Sequence, residues 1–498
     1  MYMMNTKDGD GYMERRVRFA PSPTGAIHIG NIRTALFNYL FSRSEGAKLI
    51  LRIEDTDLTR SSKDFENLIF KELDWLGIEW DEGPDKPGEY GPYRQSERLH
   101  IYNQYAEKLI EEGKAYRCYC TPEELDKDRE ESVKRGDIPR YSGRCRHLTK
   151  EQEEEYLRQG RKPSIRFIIP DDVTISFDDM IKGKIEIKSD TLGGDMIIIK
   201  SDGMPTYNFA VVVDDTLMKI THVIRGEDHI YNTPKQLLIY EALGFKPPVF
   251  AHAPLILGPD RTKLSKRHGN TYIGQYREKG YLPEAMFNFL SLLSWSPDDN
   301  VELMSKDEII KKFNFNKIHS ANPVFDVEKL NWMNQHYIQM SSIERIVDLS
   351  LPHLKEAGYI ENVDEATYEW LKKVVSLFKD GLHYVAELKD KARMFFDGDL
   401  EYNGATREIL LSSDAKNVLM GFKEEIENMD EVTEEGIKEL LKMLQKKIGV
   451  KGKAFFMPIR IALTGQDHGP ELVMIISLLG KQKVLQRIDK ALKLISQM

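Results

Sequence analysis

The β-α-β pattern at the start of the chain constrains its fold more than any other feature. Val17–Ala20 is a short apolar-rich run that predicts a strand, and the turn PSPTG leads from it into a helical pattern of apolar residues from Ile29 to Leu40. Ala47–Ile53 predicts a second strand, which ends at an acidic cluster, EDTD. This order is typical of a parallel nucleotide-binding sheet, whose ligands lie beyond the carboxyl ends of the strands. The turn and the acidic cluster both follow such ends, so we expect both to lie at a binding site.

The β-α alternation is interrupted and later resumes, which predicts a split sheet. After a helix around Leu99–Leu109 the chain becomes polar, with the short strand-like runs IRFII and MIIIK. Alternation resumes with the strand-like FAVVVDD and THVIRGED and a helix over Thr233–Leu243. From about Tyr281 onward, helical periodicity replaces strand patterns, as in Ile437–Leu444. The predicted fold class is α/β: a split Rossmann-type parallel sheet with an inserted α+β domain, followed by all-helical C-terminal domains.

Composition limits the location and the partners. The chain has 498 residues, 41% of them hydrophobic and 30% charged, which is enough for several cores. It lacks the ~18-residue apolar run of a membrane span and the apolar stretch of a secretory signal, so we expect a cytoplasmic protein with no membrane partner. The net charge is −9, yet residues 438–498 carry twelve Lys and Arg against four Asp and Glu. This basic segment fits either a nucleic-acid surface or the solvated faces of helices.

Two segments have the composition of a phosphate site. In APSPTGAIHIGN, Gly25 and Gly30 let the backbone approach a ligand, and His28 stands at a helix entrance, where unpaired amide groups favour an anion such as an ATP phosphate. In KLSKR, Lys263 and Lys266 lie on a predicted loop and can hold a triphosphate. Taken alone, the first segment is also compatible with a structural corner and the second with a solvated basic patch.

Taken together, these segments resemble a known family. RFAPSPTGAIHIGN followed by RIEDTD is similar to the glutamyl-tRNA synthetases of the class I aminoacyl-tRNA synthetases, and KLSKR is similar to their KMSKS loop. Asn31 replaces the last histidine of the generic HIGH signature, so no second histidine acts there. The resemblance implies that His28, Lys263 and Lys266 are catalytic. It implies that ATP is bound by Gly25, His28, Gly30, Asn31, Lys263, Ser265 and Lys266.

A glutamate substrate has two carboxylates and one ammonium, so it needs two cationic partners and at least one anionic partner. The resemblance implies that Arg18 binds the side-chain carboxylate, Arg225 the α-carboxylate and Glu54 the ammonium, with Ser22 and Tyr207 also in contact. Each of these residues taken singly could also belong to an ordinary ion pair. A paired arginine would reject glutamine, because a neutral amide leaves the cation uncompensated.

The three cysteines of the chain suggest a metal site. Residues two apart on a strand share one face, so the ribbons AYRCYC and GRCRHL could each present two ligands: Cys118 with Cys120, and Cys145 with His147. Such a Cys3His set suits structural zinc, although three buried thiols would also explain the pattern. Some members of the resembled family carry this zinc site in the inserted domain, and zinc is therefore our prediction.

The resemblance also divides the chain into domains. It implies a Rossmann catalytic domain in two halves, residues 15–100 and 207–254, and an inserted acceptor-stem-binding domain with the zinc site, residues 101–206. Residues 255–340 would form a stem-contact domain with the KLSKR loop, and residues 341–498 a helical anticodon-binding domain, to which RIALTGQDHGPEL is also similar. Lysines and one arginine are available there for phosphates. They are Lys446, Lys447, Lys451, Lys453 and Arg460.

The implied reaction uses ATP with Mg²⁺, L-glutamate and tRNA(Glu). The glutamate α-carboxylate attacks the α-phosphate, and the 2′-hydroxyl of the terminal adenosine of the tRNA then attacks the adenylate; the family requires bound tRNA for the first step. We expect a monomer. Whether a glutamine tRNA is also charged stays open.

Three alternatives remain to be weighed. A glutaminyl-tRNA synthetase typically has a β-barrel C-terminal half, and a short tRNA-modifying relative lacks the anticodon-binding half, so the long helical region disfavours both. An inactive tRNA-binding module is disfavoured because His28, Lys266, Arg18 and Arg225 are all retained.

Overall fold

The computed structural model describes residues 14–57, 59–134, 140–396 and 400–497. The chain divides into two compact units, the first made of residues 1–277 and 283–327 and the second of residues 278–282 and 328–498. The strands are β1 Arg16–Phe19, β2 Lys48–Leu51, β3 Ala115–Cys118, β4 Ser164–Phe167, β5 Thr174–Asp179, β6 Gly183–Lys188, β7 Met196–Ile199, β8 His222–Gly226 and β9 Val249–Ala253. All nine belong to the first unit.

The helices of the first unit are α1 Ile29–Glu45, α2 Lys63–Trp75, α3 Leu99–Glu111, α4 Pro122–Lys134, α5 Lys150–Arg158, α6 Tyr207–Leu217, α7 Thr233–Leu243, α8 Ile273–Glu278, α9 Pro283–Ser291 and α10 Lys306–Lys312. The helix α1 begins where predicted because His28 accepts a hydrogen bond from the N–H of Gly30, and it ends at Gly46 in the left-handed conformation.

The central sheet is parallel, as predicted. β1 pairs with β2 from Arg16 opposite Lys48 to Phe19 opposite Leu51, and β8 pairs with β9 in parallel. These strands form two hydrogen-bonded groups, β1–β2 and β6–β5–β9–β8, and the N–H of Thr221, just before β8, donates to the carbonyl of Arg16 on β1 at 2.9 Å. The inserted hairpin β5–β6 extends this sheet, because Asp179 at the end of β5 pairs in parallel with Phe250 of β9. The insert and the catalytic sheet are thus joined by strand pairing.

The strand prediction for FAVVVDD is wrong. These residues form most of the helix α6, whose apolar run from Phe209 to Val213 is buried on all sides among α3, α7 and the sheet. A short continuous apolar run with β-branched residues fits a buried strand or a buried helix equally well, and packing decides between them. The helix places Asp214 and Asp215 at its buried carboxyl-terminal end.

The rest of the insert contains a small antiparallel sheet, in the order β3, β4, β7. IRFII and MIIIK supply β4 and β7, as predicted. The extended conformation predicted for GRCRHL is wrong, since residues 144–147 form a turn in which the N–H of Arg146 donates to the carbonyl of Gly143. This turn has no strand partner to hold it extended.

The second unit, as far as the structure describes it, is helical. Its helices are α11 Val327–Met340, α12 Ile343–Glu356, α13 Glu365–Phe378, α14 Leu388–Lys391, α15 Arg393–Phe396, α16 Gly404–Leu410, α17 Ala415–Glu427, α18 Glu434–Ile448, α19 Lys453–Thr464 and α20 Leu472–Ser496. In α18, Ile437, Leu440, Leu441 and Leu444 form the buried face that the periodicity predicts. None of the described helices combines the length and the hydrophobicity that a bilayer-spanning segment needs.

Candidate active site

A cavity of about 630 Å³ opens at the carboxyl ends of β1, β8 and β9. The structure therefore has a cavity at the predicted location beyond the strand ends. Nine of the residues predicted for ATP or glutamate line it: Arg18, Ser22, His28, Gly30, Asn31, Glu54, Tyr207, Arg225 and Lys263. Gly25, Ser265 and Lys266 are not among the lining residues.

His28 is held as a neutral hydrogen-bond donor at the mouth of α1. Its Nδ1 accepts from the N–H of Gly30 at 3.2 Å, so the proton of the neutral ring lies on Nε2. Burial lowers the pKa of His28, and the charge of Lys263 lowers it further. At neutral pH the imidazole can therefore offer one N–H to a phosphate oxygen without carrying a charge of its own.

The KLSKR loop meets the first segment across Tyr272. The His28 ring packs edge-on against the Tyr272 ring, with centroids 6.1 Å apart, and the Nζ of Lys266 lies 5.6 Å from the centroid of that same ring. The N–H of Ile29 donates to the carbonyl of Thr271, which joins the residues that follow the loop to the first segment. Sequence analysis missed Tyr272, because its position five residues after KLSKR carries no motif.

The loop itself is a short turn. Ser265 caps a single 3₁₀ turn formed by residues 266–268, and its N–H and hydroxyl group both lie within hydrogen-bonding distance of the Nδ1 of His268, at 3.0 and 3.4 Å. Lys263 lines the cavity, with its Nζ 3.6 Å from Asp228. At Gly25, a Cβ would meet no atom within 4 Å, so protein packing alone does not require a glycine there.

Arg18 and Glu54 belong to a buried network of alternating charges. The Nε of Arg18 donates to both carboxylate oxygens of Asp215, at 3.3 and 3.4 Å, and leaves its terminal nitrogens for other partners. Arg52 donates to Asp215 at 2.6 Å and to Glu54 at 3.1 Å. Burial raises the pKa of Glu54 although Arg52 and Arg18 oppose that shift. Sequence analysis missed Asp215. The pattern that could have indicated it is the acidic pair at the end of the apolar run FAVVVDD.

Arg225 differs from Arg18 because neutral groups hold it. Its Nε donates to the Nε2 of His252 at 3.1 Å, one terminal nitrogen donates to Thr233 at 2.8 Å, and the other donates to the hydroxyl of Tyr207 at 3.4 Å. Among the ion pairs of the described residues none includes Arg225, which is 5% exposed. Burial lowers its pKa, as expected for a cation that no carboxylate compensates. A bound anion would complete this site.

Three of the four predicted metal ligands come together. The Sγ atoms of Cys118, Cys120 and Cys145 lie within 4.8 Å of one another. The hydroxyl of Tyr141, which sequence analysis missed, lies 3.4 Å from the Sγ of Cys118 and 3.5 Å from that of Cys120. His147 is exposed, is not part of this cluster and lines a separate cavity of about 200 Å³. The pattern that could have indicated Tyr141 is its spacing from Cys145, Tyr-x-x-x-Cys.

The groups around Cys118 favour its thiolate form. The Nε of Arg166 donates to the Sγ of Cys118 at 3.3 Å, and its guanidinium stacks 3.8 Å from the Tyr141 ring centroid. Hydrogen bonds from Cys120 and Cys145 hold the pKa of Cys118 below its ordinary value. Thiolate is the form that binds metal.

The basic C-terminal residues divide into free and engaged side chains. Lys447 pairs with Glu425 at 2.9 Å, and Arg460 donates to the carbonyl of Pro470 at 2.8 Å. Lys446, Lys451 and Lys453 are exposed on the second unit.

Comparison with known proteins gives a consistent result over nearly the whole chain. Residues 14–332 match the family described as tRNA synthetases class I (E and Q), catalytic domain, and residues 345–492 match an anticodon binding domain. The chain is 77% identical over 480 residues to glutamate–tRNA ligase 1 of Thermoanaerobacter sp. (strain X514), covering 96% of this chain and 99% of that protein. It is 72% identical over 482 residues to glutamate–tRNA ligase 2 of Caldanaerobacter subterraneus subsp. tengcongensis, covering 97% and 99%. A crystal structure of the Elizabethkingia meningosepticum glutamate tRNA ligase in complex with its amino acid superposes with a TM-score of 0.85 at 39% identity, covering 96% of this chain and 99% of that one.

Proposed function

The chain belongs to the glutamate–tRNA ligases, a class I tRNA synthetase family, and from that premise we propose which of its residues carry the reaction. The enzyme activates L-glutamate with ATP to glutamyl-adenylate and transfers the glutamyl group to the 3′-terminal adenosine of tRNA(Glu), releasing AMP and pyrophosphate. The observation that supports the assignment of residues is one cavity whose lining combines four of the ATP candidates with two buried arginines and a buried carboxylate.

We assign the glutamate pocket to Arg18, Glu54, Tyr207 and Arg225, with Ser22 at its rim. Arg18 binds the side-chain carboxylate through the terminal nitrogens that Asp215 leaves unused. Arg225 and the Tyr207 hydroxyl receive the α-carboxylate, and Glu54 receives the ammonium. Glutamine binds less well, because its amide leaves one buried guanidinium without an anion.

Activation proceeds by in-line attack of the α-carboxylate on the α-phosphate, without a covalent enzyme intermediate. Neutral His28 donates from Nε2 to a phosphate oxygen, and Lys263 and Lys266 stabilise the charge that develops as pyrophosphate leaves. Magnesium, which enters with ATP in class I synthetases, supplies further charge neutralisation. Gly25, Gly30, Asn31 and Ser265 complete the ATP site.

We propose a structural zinc site on the three cysteines, with the Tyr141 hydroxyl as the fourth donor in place of the predicted His147. The donor set fits zinc, because three sulfur atoms and one oxygen atom lie close enough to surround one ion. Zinc bound by four protein groups would fasten the residue 140–147 turn to β3. With no open position it has no part in the chemistry.

The domain assignment extends the proposal to tRNA. Residues 101–206 bind the acceptor stem, residues 255–340 contact the stem below it, and residues 341–498 bind the anticodon, where Lys446, Lys451 and Lys453 are exposed toward solvent. Residues 15–100 and 207–254 form the catalytic domain. A monomer suffices for this scheme, and the cytoplasmic location stays a prediction.

Aminoacylation kinetics test the residue assignment. Arg225→Ala is expected to raise the KM for glutamate by about 100-fold or more, because a buried hydrogen-bonded charge partner is lost, and to leave the KM for ATP unchanged. Arg117→Ala is the matched control, since Arg117 pairs with Glu107 on the surface of the insert. An unchanged KM for glutamate in Arg225→Ala would overturn the assignment.

A further inference from the structure

The support behind Arg225 extends one residue further, to the inserted segment. His252 on β9 is fully buried, and its Nδ1 lies 2.6 Å from the Oδ2 of Asp179 at the end of β5. The other carboxylate oxygen, Oδ1, accepts from the backbone N–H groups of Ile181, Lys182 and His252, at 2.9, 2.8 and 3.2 Å. Asp179, His252 and Arg225 thus form a hydrogen-bonded line that ends at the cavity.

The directions of these hydrogen bonds allow only one tautomer of His252. A guanidinium has no acceptor, so the Nε2 facing Arg225 must carry the lone pair, and the proton must lie on Nδ1, where Asp179 accepts it. Burial lowers the pKa of His252, which keeps the ring neutral. Burial opposes ionisation of Asp179 most strongly, but the hydrogen bonds from His252 and the backbone outweigh it and lower the pKa of Asp179.

A neutral imidazole holds Arg225 without compensating its charge, whereas a carboxylate in the same place would compensate it. Arg18 donates directly to Asp215, which compensates its charge within the protein. The Nε of Arg225 also donates a hydrogen bond, but its acceptor is the neutral ring of His252. The carboxylate of Asp179 lies on the other side of that ring. Its charge therefore remains available to the substrate, and its orientation is fixed before the substrate arrives.

We propose that Asp179 and His252 are positioning residues for amino-acid binding, which hold Arg225 through a neutral acceptor so that its charge is reserved for the α-carboxylate of glutamate. This inference rests on the proposed contact between Arg225 and the substrate. It also gives the inserted segment a part in the amino-acid pocket, because Asp179 lies at the point where β5 pairs with β9.

The substitution Asp179→Asn tests the tautomer. Three backbone N–H groups hold the amide oxygen at the Oδ1 position, so the amide nitrogen faces the Nδ1 of His252. The ring must then accept at Nδ1 and carry its proton on Nε2, where it opposes the N–H of Arg225. We expect the KM for glutamate to rise about 10- to 100-fold, from loss of one charge-assisted hydrogen bond, with the KM for ATP unchanged.

Two comparisons separate positioning from general damage. Asp178→Asn makes the same change one residue earlier on the same strand, at an exposed side chain, and is expected to behave as the wild type. His252→Gln can offer Arg225 an amide oxygen as acceptor, whereas His252→Leu removes the acceptor. The glutamine variant should retain a KM for glutamate within a few-fold of the wild type, and the leucine variant should resemble Asp179→Asn.

The outcomes are decisive in both directions. An unchanged KM for glutamate in Asp179→Asn, a parallel rise in the KM for ATP, or equal defects in His252→Gln and His252→Leu would each overturn the proposal. If Arg225→Ala itself leaves the KM for glutamate unchanged, the proposed glutamate site fails first. If Arg225→Ala raises it and Asp179→Asn does not, only the positioning role fails.

Discussion

The substitution Asp215→Asn should strongly destabilise the first unit without changing its shape. Asp215 is 3% exposed and accepts from the Nε of Arg18 at 3.3 Å and from the Nη1 of Arg52 at 2.6 Å. An asparagine of the same size leaves both guanidinium groups short of one negative charge and turns an amide donor toward one of them. Removing one partner of a buried ion pair costs about 3–5 kcal/mol, and we expect a value in this range.

Hydrogen exchange read by mass spectrometry measures this cost where it arises. Peptides from α6, residues 207–217, report local opening around Asp215, so the two-unit chain need not unfold in one step. A loss of about 3–5 kcal/mol corresponds to exchange faster by roughly two to three and a half orders of magnitude, at about 1.4 kcal/mol for each factor of ten.

The matched control is an arginine–carboxylate pair on the surface. Glu107 accepts from the Nη2 of Arg117 at 2.8 and 2.7 Å, and about half of its side chain is exposed. Glu107→Gln should change the exchange of α3 peptides by at most about fivefold, because an exposed pair contributes only about 0.2–1 kcal/mol. Equal effects of the two substitutions, or no effect of Asp215→Asn, would refute the argument that burial sets the cost.

Three further predictions concern pH, catalysis and metal. Burial disfavours ionisation of Asp215, but Arg18 and Arg52 outweigh burial and lower the pKa of Asp215. The stability that its charge provides is therefore complete above about pH 4 and is lost as the pH falls through the lowered pKa of the folded state. In thermal melts the difference in Tm between wild type and Asp215→Asn should shrink in that acidic range, and a difference that grows would contradict the assignment. Lys266→Ala should lower kcat about 10²- to 10³-fold with tRNA affinity in filter binding unchanged, and an unaltered kcat would exclude its role on the phosphates. Elemental analysis should find one zinc per chain, lost in Cys118→Ala and retained in His147→Ala; loss in the latter would restore the histidine as a ligand.

Local sequence patterns predicted much of the candidate site. Strand, turn and helix at residues 17–40 follow from the spacing of apolar residues and the position of glycines, and they put His28 at a helix entrance. The helices of the second unit follow from periodicity over whole turns, as in α18. Patterns of this kind are local, so neighbouring residues are sufficient to specify them.

Two errors have the same physical origin. The strand prediction for FAVVVDD failed because this helix is buried on all sides. A helix of that kind has no polar face, so its sequence shows no helical periodicity. GRCRHL forms a turn because its backbone pairs with none of the described strands, and an extended segment needs such a partner. In each case the deciding interaction comes from residues far away in the chain.

The sequence by itself determined the order of the elements and the residues able to bind phosphate, a dicarboxylic amino acid and metal. Only the tertiary structure decided how charge is distributed among them. Asp215 compensates Arg18 from a helix about two hundred positions away, while Asp179 supports Arg225 through a neutral His252. The electrostatic state of a buried cation depends on which groups surround it, and those groups arrive from separate strands and helices.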